Sequence, residues 1–121
     1  ITDLNYGNHL ANQNFLVYAQ ESRMRFLAEF GFSEMDFGGS SLIQADAAVM
    51  YKGEGFYGDV IEIKVKAEQS GHSSFNIYYL MQLKKDGKPL AHIRTAMVCY
   101  DYNQGKAMGI PEKVLKSGFF D

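Results

Sequence analysis

Residues 3–31 decide the fold, and they read DLNYGNHLANQNFLVYAQESRMRFLAEFG. A polar opening, residues 3–9, is followed by apolar side chains that recur at three- and four-residue steps. This spacing predicts one long amphipathic helix. Asn8 or Asn12 can cap its start with a side-chain oxygen, and Gly31 can end it in the left-handed conformation. The predicted apolar stripe consists of Phe15, Ala19, Ser22, Phe26 and Phe30, with Leu16, Arg23 and Leu27 beside it.

The rest of the chain predicts strands and turns. Residues 42–51 are apolar on both faces except at Gln44 and Asp46, which is typical of a buried strand, and residues 60–67 alternate cleanly. Two further strands, residues 75–83 and 90–102, flank Asp86-Gly87, a two-residue hairpin signal. Pro111 favours a short C-terminal helix over residues 111–116. Long strands joined by short turns imply an antiparallel sheet, so we predict an α+β domain with the sheet wrapped around the helix.

Composition excludes several classes of protein. The 121 residues suffice for one domain, which we assign to residues 1–121. A net charge of −2 without a basic run argues against nucleic-acid binding, and no apolar stretch approaches the ~20 residues of a membrane helix. The single cysteine, Cys99, rules out an internal disulfide and is compatible with a reducing compartment. Since the first residue is Ile and the polar opening starts almost at once, we expect that an N-terminal strand is missing or truncated.

The order of one helix and then long antiparallel strands, together with several motifs, resembles the hotdog-fold acyl-CoA thioesterases of the 4-hydroxybenzoyl-CoA thioesterase type. That family opens with Asp-x-Asp-x-x-Gly-His-x-x-Asn, followed by an aromatic-Leu pair, a Tyr and Glu-x-Arg. The resemblance covers nearly the whole chain. Anchored on His9, this sequence supplies Asp3, His9, Asn12, Phe15-Leu16, Tyr18 and Glu21-Ser22-Arg23, and later Tyr57-Gly58-Asp59, Ser73-Ser74-Phe75 and Asp86-Gly87.

Two departures from the family pattern affect the chemistry. The second acidic position usually carries the catalytic carboxylate, and here it is Asn5. The Gly-His pair of the family is split here, as Gly7-Asn8-His9. Both departures fall in the segment to which the resemblance assigns catalysis.

The resemblance implies a hotdog fold and a cytoplasmic enzyme that hydrolyses acyl-CoA or acyl-carrier thioesters without a cofactor. It also implies a homodimer or tetramer, with strands joined across the interface and the active site between subunits. No nucleic acid and no membrane partner is expected. The predicted catalytic residues are Asp3, Asn5 and His9, and the predicted substrate-binding residues are Tyr6, Asn12, Tyr18 and Glu21.

Each polar candidate also has a structural interpretation. A carboxylate at Asp3 near a helix start could attack the thioester or activate water, or it could simply bond local backbone N–H groups. Asn5 could orient the attacking water or be a turn residue, and His9 could bond the substrate carbonyl or cap the helix. Glu21 could pair with Arg23 as an acid and its partner, or form a helix-surface pair with Arg25.

Other reaction classes have weaker support. The three histidines are scattered without ligand spacing, so no metal site is predicted. Ser73 and Ser74 lack the Gly-x-Ser-x-Gly turn of serine hydrolases, and no phosphate-binding loop or dinucleotide motif occurs. The main alternative is a non-catalytic protein that binds acyl thioesters, which Asn5 favours. A hydratase of the same fold ranks last, because that branch pairs an Asp and a His separated by four residues, and Asp3 and His9 are separated by five.

Overall fold

A computed structural model of the chain describes residues 13–56 and 58–121. The main helix, α1, is followed by four long strands, a two-residue strand and a short helix. The predicted capping residues Asn8 and Asn12 lie outside the described residues. The elements are α1 (Gln13–Glu29), β1 (Ser41–Tyr51), β2 (Ile61–Gln69), β3 (Ser74–Leu83), β4 (Pro89–Asp101), β5 (Lys106–Ala107) and α2 (Glu112–Leu115).

The strands form one antiparallel sheet in the order β1-β4-β3-β2, and β5 pairs with the end of β4. Strands β2, β3 and β4 follow one another as hairpins, whereas β1 pairs with the distant β4. Among the described strands, β1 and β2 are therefore the two edges. Helix α1 packs on one face of the sheet, its inner face, so the predicted α+β architecture is confirmed.

The buried side of α1 differs slightly from the predicted stripe. Phe15, Ala19, Arg23 and Leu27 are buried at four-residue spacing, with Leu27 completely covered. The predicted stripe members Ser22, Phe26 and Phe30 are only half-buried, and Leu16 is 40% exposed. The face that meets the sheet is thus rotated toward Arg23, because that arginine finds partners on the sheet and in the loop after α1.

Gly31 ends α1 as predicted. Its φ of 79° is left-handed, and its N–H donates to the carbonyl of Ala28. The N–H of Phe32 reaches back to the carbonyl of Leu27, and both of these side chains are buried. This pair of bonds is a Schellman motif, which satisfies carbonyls that the helix end would leave free.

The inner face of the sheet carries the core. Its central strands alternate as expected, and β3 buries Phe75, Ile77, Tyr79 and Met81 in the core. The prediction of a buried strand at residues 42–51 is wrong for most of β1, where residues 44–48 are exposed because the strand lies at the edge. The hairpin at Asp86-Gly87 exists, but its loop spans residues 84–88 rather than two residues.

Strand β1 contains a bulge at Ala45. Gln44 is opposite Met97, which faces the core, whereas Asp46 is opposite Ala96 on the outer face. In a regular strand, residues two apart point to the same side. The extra residue therefore sends Gln44 and Asp46 to opposite faces of the sheet.

The C-terminus closes one end of the core. Helix α2 starts after Pro111, close to the predicted boundary, and its Val114 is buried. Beyond it, Phe119 is buried against Phe26 and Phe37, with ring centroids 4.9 and 5.1 Å away. Phe75 lies 5.6 Å from the same ring. Sequence analysis did not predict this aromatic cluster, whose members are far apart in the chain.

Candidate active site

A groove runs between α1 and the edge strand β2. Its first part holds about 270 Å³ and its second part about 410 Å³. The two parts share Ser22, Arg25, Ile61 and Ile63, so the groove is continuous along the helix. Its lining is completed by Tyr18, Glu21 and Asp59 in the first part, and by Phe26, Glu29 and Val65 in the second.

The floor of the groove follows from the alternation in β2. Ile61, Ile63 and Val65 point toward α1, and each is half-buried because no described strand or helix covers that edge of the sheet. Further along the same face, Ala67 is buried in the core. The groove thus has an apolar floor that could hold the hydrocarbon part of a ligand.

The rim of the groove is polar and charged. Glu21 Oε1 accepts a hydrogen bond from Arg25 Nη2 at 2.8 Å, and both side chains are exposed. On the opposite rim, Asp59 Oδ2 accepts a hydrogen bond from the backbone N–H of Phe56 at 2.9 Å, which fixes the turn before β2. The rim can therefore present both a carboxylate and a guanidinium to a polar ligand group.

The predicted pair of Glu21 with Arg23 is wrong. Glu21 forms the helix-surface pair with Arg25 that was the alternative interpretation. Arg23 instead lies beneath the helix, where its Nε donates to Glu34 Oε1 at 2.7 Å. Its Nη1 donates to Gln44 Oε1 at 3.1 Å and to the Tyr79 hydroxyl at 3.2 Å.

This buried network joins α1 to the sheet. The Tyr79 hydroxyl also lies 2.8 Å from Thr95 Oγ1, so the network reaches from α1 to β4. Burial would lower the pKa of the Arg23 guanidinium, but its interactions with Tyr79 and Glu34 outweigh burial and raise that pKa. Arg23 is therefore charged, and it acts as a structural clamp rather than as a proton donor to substrate.

The remaining reactive side chain in the core is Cys99. It is fully buried, as the alternation of its strand predicts, and burial raises the pKa of its thiol while a hydrogen bond with Ser40 works in the opposite direction. A neutral buried thiol is a poor nucleophile. Across residues 13–56 and 58–121, no group of three or more His, Cys, Asp or Glu side chains could hold a metal ion.

The structure brings together two of the seven predicted site residues. Tyr18 and Glu21 both line the first part of the groove, although their role in substrate binding stays a prediction. The other five lie outside the described residues, and their roles also stay predictions. They are Asp3, Asn5, Tyr6, His9 and Asn12.

Sequence analysis missed some residues of the groove. Asp59 and Ser22 were each part of a quoted motif, but neither was assigned to the site. The signal for Asp59 was Tyr57-Gly58-Asp59, which places a carboxylate just before β2.

In the part of the chain that the structure describes, no helix is both long and apolar enough to cross a membrane.

Comparison with known proteins identifies a family and a similar curated protein. The family model described as the thioesterase-like superfamily matches residues 1–117. A curated protein of Aquifex aeolicus, named "Putative esterase", is 29% identical over 107 residues, which cover 87% of this chain and 80% of that protein.

Solved structures show the same fold. A 1,4-dihydroxy-2-naphthoyl-CoA thioesterase from Synechocystis superposes with a TM-score of 0.86 at 18% identity, covering 97% of this chain and 88% of its own. A thioesterase from Thermus thermophilus, solved with coenzyme A and Zn, gives a TM-score of 0.80 at 22% identity, covering 95% of this chain and 87% of its own. These likenesses confirm the predicted hotdog fold.

Proposed function

This chain belongs to the thioesterase-like superfamily, and on that premise we propose that it hydrolyses acyl-CoA thioesters to a free acid and a thiol. Water adds its oxygen to the thioester carbonyl carbon, and the C–S bond then breaks. One proton of the water passes to a protein base, and the leaving thiolate takes up a proton to become the free thiol. The reaction needs no redox step and no cofactor.

The observation that carries this proposal is the groove beside α1. Its apolar floor suits an acyl chain, and its charged rim lies along α1, the helix that follows the predicted catalytic segment in sequence. Tyr18 and Glu21 lie on this rim, where the resemblance predicts substrate contacts. The coenzyme A bound to the Thermus thermophilus relative supports a CoA thioester as the substrate class.

We assign the chemistry to the segment before α1. In this proposal Asp3 is the base or nucleophile, Asn5 orients the thioester or the attacking water, and His9 bonds the carbonyl oxygen. Tyr6 and Asn12 bind substrate together with Tyr18 and Glu21. Asn5 cannot itself remove a proton near pH 7, because an amide is not a base.

We propose that the active unit is a homodimer in the cytoplasm. Both edge strands of the described sheet are long, and β2 carries apolar side chains directly beside the groove. Unpaired strand edges of this kind tend to associate, and an isologous dimer would place the groove between two subunits. Sedimentation velocity at about micromolar concentration should show a dimer or tetramer. A purely monomeric protein would contradict this assembly.

The second candidate function is binding without hydrolysis. Asn5 stands where relatives carry the catalytic carboxylate, and this departure favours a protein that holds acyl thioesters intact. Thiol release from acyl-CoAs of increasing chain length, aromatic acyl-CoAs and an acyl-carrier thioester separates the two functions. We expect turnover with at least one acyl-CoA. Saturable binding of all of them without thiol release would support the binding protein instead.

Two variants decide which residue works as the base. Asp3→Asn should remove most hydrolysis while leaving the fold intact, because it keeps the shape but loses the carboxylate. If Asn5 occupies the catalytic position, Asn5→Asp should raise the rate by ~10²-fold, which is the usual effect of a positioned base.

The opposite result has a clear physical meaning. If the split Gly7-Asn8-His9 places Asp3 at the reaction centre, Asn5→Asp sets two carboxylates close together and raises the pKa of one of them. Activity near neutral pH would then fall in both variants. Full activity in Asp3→Asn would instead exclude Asp3 and make Glu21 the leading carboxylate.

A further inference from the structure

The outer face of the sheet, opposite α1, carries a second set of chemically active side chains. Strand register places eight residues in two adjacent rows across all four long strands. We call this set the outer band. One row is Lys64, Leu80, His92 and Met50, and the other is Lys66, Tyr78, Arg94 and Ala48.

The outer band is cationic and contains no acidic residue. Lys64 and Lys66 are exposed on the edge strand, and neither makes an ion pair with any described residue. Arg94 is held in place, because its Nη1 donates to Asp46 at 3.0 Å and to Asn76 at 3.2 Å. The two lysines are therefore the cations of the band that are available to a ligand.

The centre of the band is concave and aromatic. One depression of about 290 Å³ lies among Lys64, Lys66, Tyr78, Leu80 and His92, and a second of about 250 Å³ adjoins it. Both depressions share Tyr78 and His92. The Tyr78 ring, 39% exposed, thus lies between two hollows, directly beside Lys66.

Acidic groups limit the size of the ligand. The next row on one side contains Glu62, which accepts a hydrogen bond from Gln82 at 2.9 Å, and the next row on the other side contains Glu68. The cationic band therefore extends over two residues of each strand, or about 7 Å. This width is too small for an acidic protein surface or a membrane, and like charges would repel a second copy of the same face.

We propose that the outer band binds a nucleoside phosphate. The base stacks on Tyr78, where every base can offer a π-face, and the phosphate groups pair with Lys64 and Lys66. Because β2 alternates, its lysines face this site while Ile61, Ile63 and Val65 face the groove. The two sites thus lie on opposite faces of one strand, and the second site goes beyond the proposed hydrolysis.

Titration calorimetry at low salt tests this site. The probes are ADP, adenosine 3′,5′-bisphosphate, adenosine and inorganic tripolyphosphate. We expect both nucleotides to bind with a Kd below about 1 mM, and we expect adenosine and tripolyphosphate to bind at least tenfold more weakly. A preference for adenosine 3′,5′-bisphosphate would indicate the nucleotide end of coenzyme A as the natural ligand, and a preference for ADP a free nucleotide.

Paired variants assign the contacts. Lys64→Gln/Lys66→Gln should weaken nucleotide binding at least tenfold at low salt, and Tyr78→Leu should weaken it by roughly 5- to 150-fold. The matched control is Lys85→Gln/Lys88→Gln, two exposed lysines of the hairpin loop, which should leave binding unchanged. Circular dichroism confirms that each variant is folded.

Three results would overturn the proposal. The first is a lack of binding of either nucleotide by the wild-type protein at about 1 mM. The second is equal affinity in wild type and in the folded lysine and tyrosine variants. The third is binding that does not depend on the base. Such binding would be seen as equal affinity for tripolyphosphate and the nucleotides, or as binding to phosphatidylglycerol vesicles instead of nucleotides.

Discussion

Two arginines of α1 lie two residues apart, and they are used in opposite ways. Arg23 is 5% exposed and its polar contacts include Glu34, Gln44 and Tyr79 beneath the helix. Arg25 lies on the groove rim and pairs with Glu21 in solvent. The inward side of the helix thus holds the sheet, whereas the groove side keeps its charged pair exposed at the rim.

One helix can therefore serve both stability and function. A buried charge that has its partners cannot change without leaving other polar groups unpaired. An exposed pair contributes little to folding, so selection for binding can alter it at low cost. We therefore expect mutations on the inward side to affect folding, and mutations on the groove side to affect substrate.

The largest effect should come from the inward side. Leu27→Ala should destabilise the protein by about 3–4 kcal/mol, because it opens a cavity under a fully buried side chain. Its control, Leu16→Ala, removes the same group from a side chain that is 40% exposed and should cost much less. Urea denaturation measures both, and similar losses would show that the buried face of α1 is misassigned.

Arg23→Met should follow, at about 2–3 kcal/mol. Breaking a buried ion pair is most costly when the remaining charge stays fully buried. The Glu34 side chain is 31% exposed, so its carboxylate keeps some contact with water, and we therefore expect a smaller cost than for a fully buried pair. Arg25→Met should stay within about 0.5 kcal/mol in the same assay. A cost for Arg23→Met no larger than that of its control would contradict the role of the clamp.

The smallest effect on stability should come from Glu21→Gln, at about 0.5 kcal/mol or less. The same variant should raise the KM for acyl-CoA if this rim contacts substrate. Glu29→Gln, on the second part of the groove, is the matched control for a lost carboxylate. A KM that shifts equally in both variants would mean that overall charge, and not the position of Glu21, sets the affinity.

Local patterns were sufficient to predict most of the fold. The apolar spacing of α1, the stop at Gly31 and the alternation in β2 and β3 depend on neighbours within a few residues. The edge position of β1 was not predictable in this way, because it results from pairing with β4, about fifty residues away. A strand of apolar residues gives the same pattern in the middle of a sheet as at its edge.

The buried partners of Arg23 were missed for a similar reason. Periodicity placed Arg23 beside the apolar stripe, but its partners Glu34, Gln44 and Tyr79 are 11, 21 and 56 residues away in the chain. The groove residues Tyr18 and Glu21 were predicted from the family motif. Asp59 joins them only when β2 is placed beside α1.

The bulge at Ala45 lets one edge strand serve two separate networks. Gln44 joins the Arg23 clamp on the inner face, and Asp46 fixes Arg94 on the outer face. If Ala45 were paired as in a regular strand, both side chains would point the same way, and one network would lose its partner. At this position the backbone conformation therefore matters more than the identity of the side chain. Replacement of Ala45 should be easily accommodated, and its deletion should leave the faces of the rest of β1 unchanged, because Gln44 and Asp46 would then be adjacent residues of a regular strand.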